Sequence, residues 1–222
     1  GGTETDITGT VSKYTATSDT VSYTFIQKKT AFCKVGETEY KTWADALKAD
    51  GDIKLLANAP KITAKITLPK DVTIDGQGKY TLSANTYFFA LAGHNATFRN
   101  LTINTTHGVR TDDIAGPEVL FENCTVNVTG GLLINFNKNA NVTFKDTTVI
   151  STAADPVILL QTSATSEIRL VNSTIDYRKG STGDNTSIIN IAGKSKGTVV
   201  IDGTSKLVYS PDSTGNNNHI IV

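Results

Sequence analysis

The sequence predicts an all-β solenoid, a right-handed parallel β-helix of six or more coils. Three observations carry that prediction: a repeated phrase, a period-two alternation that slips once inside it, and a second apolar segment before each copy. The phrase occurs at Ala96–Ile103, Val119–Val126, Val142–Val149 and Ile168–Ile175, with weaker copies at Val72–Gln77 and Val199–Thr204. Its aligned apolar residues Phe98, Phe121, Phe144 and Leu170 follow one another after 23, 23 and 26 positions. A fixed period of that length is the mark of stacked coils rather than of a conventional globule.

Within each copy, small or apolar residues alternate with mostly polar ones, as at Val119, Phe121, Cys124 and Val126. Period two predicts strand. The alternation slips by one residue at Asn100, Asn123, Asp146 and Asn172. Two short strands are therefore expected to meet there at a bend, because Asn and Asp tolerate left-handed backbone geometry. Stacked on successive coils, these residues are expected to hydrogen-bond to one another in a ladder. The preceding apolar segments, Tyr87–Leu91, Gly131–Phe136, Pro156–Gln161, Ser187–Ile191 and His219–Val222, supply a third strand. Three short strands and three tight turns fit a coil of about 23 residues.

The remaining elements sit at the ends. Thr42–Ala49 is the one helix expected: Thr42 and Asp45 have capping-box spacing, Trp43, Ala46 and Leu47 line one face, and Gly51 stands where a helix stops. It is expected to cover the open end of the solenoid, where core side chains and unpaired strand edges would otherwise meet water. Asp52–Leu56, Lys65–Leu68 and Asp71–Ile74 are expected as strands of the opening turns. Residues 1–31 precede the repeat, with two alternating segments around Ser18 and Asp19 that predict a hairpin appendage. Residues 32–222 then form the β-helix domain.

The run Gly36–Leu47, Gly51–Leu56 and Asp71–Leu82 resembles the entry segment of pectate-lyase-like β-helix proteins of bacterial surfaces. The resemblance covers residues 32–222. It implies the fold, and an extracellular chain that is secreted or tethered to the bacterial surface. It leaves activity open, since that superfamily includes polysaccharide lyases, glycoside hydrolases and adhesins.

Composition narrows the partners. Lys and Arg together number 21, as do Asp and Glu, so the formal charge is zero and no basic tract predicts nucleic acid. No apolar run is long enough to predict a transmembrane helix. Cys33 and Cys124 are too few for a disulfide scaffold or metal cluster, and Cys124 is expected as a small inward side chain. Eight Asn-x-Ser/Thr sequons, at Asn95, Asn100, Asn104, Asn123, Asn127, Asn141, Asn172 and Asn185, follow in good part from the repeat itself: a bend Asn followed two positions later by an outward Thr spells the motif without any sugar.

The candidate site lies on the third strand of each coil. With Val109, Leu132, Ile158 and Ile189 inward, alternation places Arg110, Leu133, Leu159 and Asn190 outward, joined by Asp112, Asn135 and Gln161. In the superfamily that the chain resembles this face carries substrate, and the resemblance implies that Tyr87 and Phe89 at one end stack on sugar rings while the amides and charges bind hydroxyls. His107, Arg110, Asp112 and Asp113 concentrate a base, a guanidinium and two carboxylates, the catalytic candidates. A hydrolase needs two cooperating carboxyls, and neighbours on a strand point to opposite faces. A lyase needs several acids around calcium, whereas the neighbouring positions are mostly amides. The sequence therefore favours a non-enzymatic glycan-binding or adhesin-like chain without a cofactor, with a polysaccharide lyase or glycoside hydrolase centred on Arg110 and Asp112, calcium included, as the alternative. His94 and His219 have no expected partner. The apolar last strand is expected to be covered by a further C-terminal segment, by end-to-end association or by a loop folding back over Ile220 and Val222, with side-by-side packing also open.

Overall fold

The computed structural model describes residues 30–162, 164–178, 186–209 and 218–221, with backbone alone at Thr186 and at 218–221. The expected N-terminal hairpin, Asn185 and Val222 lie outside the described residues. The chain runs β1 (Cys33–Val35), β2 (Thr38–Tyr40), α1 (Trp43–Ala46), β3 (Ile53–Leu55), β4 (Ile66–Thr67), β5 (Val72–Asp75), β6 (Thr81–Ala90), β7 (Ala96–Arg110), β8 (Glu118–Val128) and β9 (Ile134–Phe136). It continues through β10 (Asn141–Lys145), β11 (Thr148–Ser151), β12 (Ile158–Leu160), β13 (Thr165–Val171), β14 (Thr174–Tyr177), β15 (Thr186–Ile191), β16 (Lys196–Ile201), β17 (Lys206–Tyr209) and β18 (Asn218–Ile221). Among the described residues, the strands from β3 onward pair with one another only in parallel, each joining one coil to the next, which makes the fold a parallel β-helix.

All six copies of the repeat stack in register on the first face: Val72 beside Ala96, then Val119, Val142, Ile168 and Val199. Six stacked copies enclose about five turns. The inward row one step along places Phe98 on Phe121 at 5.0 Å between ring centroids and Phe121 on Phe144 at 5.2 Å. These rings are fully buried. Each contributes roughly 1.5–3 kcal/mol by leaving water, so the stack forms a continuous apolar axis.

The expected bends are present. Asn100, Asn123, Asp146 and Asn172 all have left-handed backbone, with φ of 51°, 51°, 50° and 46°. Their side chains form the expected ladder, though not without a break. Asn123 Nδ2 donates to Asn100 Oδ1 at 2.8 Å, Asn100 Nδ2 to Asp75 Oδ1 at 3.2 Å, and Asn172 Nδ2 to Asp146 Oδ1 at 2.7 Å. No side-chain bond joins Asn123 to Asp146, because Asn123 spends its Nδ2 on Asn100 and a carboxylate has no hydrogen to give. Asn95 and Asn127 also spend their amide hydrogens on the preceding coil, on Asp71 and Asn104.

A second ladder runs inside. A bend interrupts strand pairing, so the N–H just after it needs another acceptor. Thr147 Oγ1 accepts from Cys124 N at 3.2 Å, Ser173 Oγ from Thr147 N at 3.0 Å, and Ser205 Oγ from Ser173 N at 2.9 Å. Each inward hydroxyl thus serves the coil before it. Cys124 occupies the same row, and desolvation pushes its thiol up to about 12, as it does for Cys33; both cysteines are free.

At the N-terminal end β1 pairs antiparallel with β2 and β3. The helix is one turn long, shorter than the expected 42–49, because the chain continues past Leu47 in tighter turns. Thr42 caps it as expected, accepting from Asp45 N. Trp43 lies in the core against Phe32 and Phe89, with its Nε1 donating to Pro60 O at 3.1 Å. Lys70 ties the helix end to the first coil by donating to the carbonyls of Lys48 and Ala49 and to Asp50. At the other end, the inward row finishes among the described residues on Ile201, still 42% exposed.

Two measurements check this account. Asp146→Asn supplies the missing ladder donor while keeping the acceptor for Asn172, and should raise stability by about 1 kcal/mol in denaturant unfolding. The second concerns acid. Burial pushes the Asp75 carboxyl up, but hydrogen bonds from Gln77 N–H, Asn100 and Arg99 outweigh it, so the net direction is down. A folded value below the unfolded one means that stabilisation is present above the ordinary carboxylate range, about 3.9 for Asp, and is lost as the pH falls through the folded value. Acid unfolding of Asp75→Asn should accordingly depend less steeply on pH than that of the native chain.

Candidate functional site

The third face contains the expected candidates, in a register that alternation misassigns. Its inward row is Ile66, Phe89, Val109, Ile134, Ile158 and Ile189, paired coil to coil. Ile134, not Leu132, is therefore the partner of Val109. Leu132, Leu133 and Ile134 are all buried, so apolarity alone carries no parity there. Two expectations fall with this. Leu133 points inside rather than outward, and Phe89 is a core residue, fully buried against Trp43, Phe88 and Phe98. Phe89 cannot stack on a sugar. The outward row is Arg110, Asn135, Leu159 and Asn190.

Along this row side chains join into one strip. Lys65, just before β4, reaches Asp112 with Nζ 2.9 Å from Oδ2. The other carboxylate oxygen lies 2.7 Å from Arg110 Nε, an ion pair without the alignment of a hydrogen bond. Arg110 in turn lies over the Tyr87 ring, its guanidinium carbon 5.4 Å from the centroid. Asn135 Nδ2 donates to the Tyr87 hydroxyl oxygen at 3.1 Å, and Gln161 Nε2 donates to Asn135 Oδ1 at 2.7 Å. Six side chains from successive coils are thereby linked, although up to 48 residues separate partners in the chain.

His107 borders the strip. Its ring lies 4.8 Å from that of Tyr87, and Nδ1 is 3.3 Å from Thr106 Oγ1. A Cβ on Gly131 would fall 2.4 Å from His107 Nε2 and 3.1 Å from an Asp155 oxygen, so glycine there makes room for the imidazole. Asp113 is exposed and shares none of the contacts that hold Asp112. Asn190 lies on the same row two coils beyond Asn135, with Leu159 between them. Lys65 and Asp155 were not anticipated. Neither belongs to the repeat, and only stacking brings them beside Asp112 and His107.

A separate groove of about 690 Å³ opens between the capping segment and the first coils, lined by Asp50, Asp52, Lys70, Asp71, His94 and Asn95 among others. His94 does have a partner in it, contrary to expectation: Nδ1 lies 3.6 Å from Asp71 Oδ1. Among the described residues, no group of three or more His, Cys, Asp or Glu side chains converges as metal ligands would. No helix of the described residues is long and apolar enough to cross a membrane. Comparisons with protein-family models, with curated proteins and with solved structures find no match for this chain.

The strip makes its own contrast in stability. Tyr87→Phe leaves the amide hydrogens of Asn135, itself only 8% exposed, without their acceptor and should cost about 1–3 kcal/mol. Asp112→Ala removes ion pairs that are about a third exposed and should cost less than about 1 kcal/mol. Thermal or denaturant unfolding of both variants checks the order.

Proposed function

We propose that this chain is a secreted or surface-tethered bacterial β-helix of the pectate-lyase-like kind that binds glycan along its third face without cleaving it. The observation that carries the proposal is the strip from Lys65 to Gln161. It offers a half-buried tyrosine, a guanidinium, an ammonium and the Gln161 amide in a line parallel to the solenoid axis, the side-chain types that hold a sugar chain by its rings and polar substituents. The same strip argues against catalysis. Asp112 is shared between Lys65 and Arg110 and is thus not a free general base, and Asp113 does not join it. An elongated stack of coils also suits display, since each coil contacts only its neighbours and the rod extends without a larger core. End-to-end contact belongs to the same proposal, because a neighbouring molecule would cover the exposed Ile201.

Incubation with acidic and neutral polysaccharides, calcium present, should release neither unsaturated nor reducing ends, while a glycan array should return bound sugars. Tyr87→Ala and Arg110→Ala should each weaken that binding by about tenfold, equivalent to about 1.4 kcal/mol. Release of ends that disappears in Asp112→Ala or Arg110→Ala would establish the lyase or hydrolase instead.

A further inference from the structure

Asn135 is the least exposed polar side chain of the strip, and both ends of its amide are engaged inside the protein. Its oxygen accepts from Gln161, and its nitrogen donates to Tyr87. Turned over alone, the Asn135 amide would set its own N–H2 against that of Gln161, so the two amides fix one another's orientation. With the pair oriented this way, the Tyr87 oxygen is the acceptor on the protein side. Its own hydrogen is left to point away from Asn135, toward whatever occupies the face.

On the Arg110 side of that hydrogen the polar groups are donors too. Arg110 lies over the same ring with only its Nε engaged by Asp112, so among the described residues its terminal nitrogens have no protein acceptor. The Lys65 ammonium has hydrogens beyond the one given to Asp112. The carboxylate of the strip, Asp112, is taken up by these two cations.

The geometry points to Asn135, oriented by Gln161, as a positioning residue that sets specificity: it fixes Tyr87 as a hydrogen-bond donor, and with Arg110 the strip selects glycan substituents that offer only acceptor oxygens. An acyl carbonyl, a carboxylate and a sulfate share that chemistry, and an unsubstituted sugar hydroxyl does not. A charged acceptor gains most, because hydrogen bonds to an ionised partner are about twice as strong as neutral ones. This inference rests on the glycan-binding proposal, and its test separates the two.

Asn135→Asp keeps the shape and the bond from Gln161 but removes the donor, so Tyr87 must turn its hydrogen inward. Gln161→Leu is the second variant, freeing the amide to rotate. Ultraviolet Raman spectra, taken as differences against Tyr87→Phe, report the state of the phenol through the intensity ratio of the tyrosine doublet, with no ligand needed. The ratio of the higher- to the lower-frequency member should fall in Asn135→Asp and move partway in Gln161→Leu. Binding is then measured to a plain glucan, an N-acetylated chito-oligosaccharide, an oligogalacturonate and a sulfated dextran. The native chain should prefer at least one substituted sugar over the glucan by about tenfold, and Asn135→Asp should abolish that preference. An unchanged doublet, or a native Tyr87 that already reads as an inward donor, overturns the inference. Equal binding to all four sugars also overturns it. A shifted doublet with no sugar bound overturns the glycan proposal and the selectivity with it, while establishing the orientation of the hydroxyl.

Discussion

Every coil of this protein depends on one constraint: the backbone groups of each strand must pair with the coils above and below, and each coil must bend sharply without losing those partners. The left-handed Asn and Asp residues meet it. They turn the chain at one residue, and their side chains bond along the stack. The turn leaves a buried N–H behind it, and the inward Thr and Ser hydroxyls of the next coil supply the acceptor. Bend, outer ladder and inner ladder are thus parts of one solution, and a coil that lacked one of them would bury an unpaired polar group.

The stack of phenylalanines follows from the same registry. Because the bends align, the residue two positions before each bend returns to the same place in every coil, and aromatic rings there meet face to face. Where the repeat gives way to Leu170 and Ile201 the ring stack ends and aliphatic side chains continue the row. Packing and backbone pairing therefore reinforce one another along the axis. At the entry, Trp43 closes the core against Phe32 and Phe89, and Lys70 fastens the capping turn by its last carbonyls.

The third face is where this order loosens, and there the candidate site forms. Its strands are short, its connections vary in length, and its outward residues differ from coil to coil. No ladder of identical side chains consumes their hydrogen-bonding capacity. Tyr87, Arg110, Asn135 and Gln161 instead make a chain of unlike contacts, each from a different coil. Such a strip is rigid because its neighbours hold it. Its polarity is likewise set by the partners of Asn135 and not by any one residue.

How much of this can be read from the chain differs between the faces. The repeat phrase states its own geometry: Phe or Leu for the core, Asn or Asp for the bend, an inward residue after it, each at a spacing that only stacked coils satisfy. For that reason the β-helix, the bends, the inward place of Cys124 and the core place of Trp43 all follow from the sequence by itself. The third face carries no phrase, and its apolar run Leu132–Ile134 is buried at every position, so alternation cannot say which residue faces out. Pairing with the neighbouring coils decided it, moving Phe89 and Leu133 inside and setting Asn135 beside Arg110. The meetings of Lys65 with Asp112 and of Asn135 with Tyr87 join residues 47 and 48 positions apart. Local sequence can specify a period because each coil obeys the same backbone rules; which unlike side chains meet depends on the register between coils, and that belongs to the tertiary structure alone.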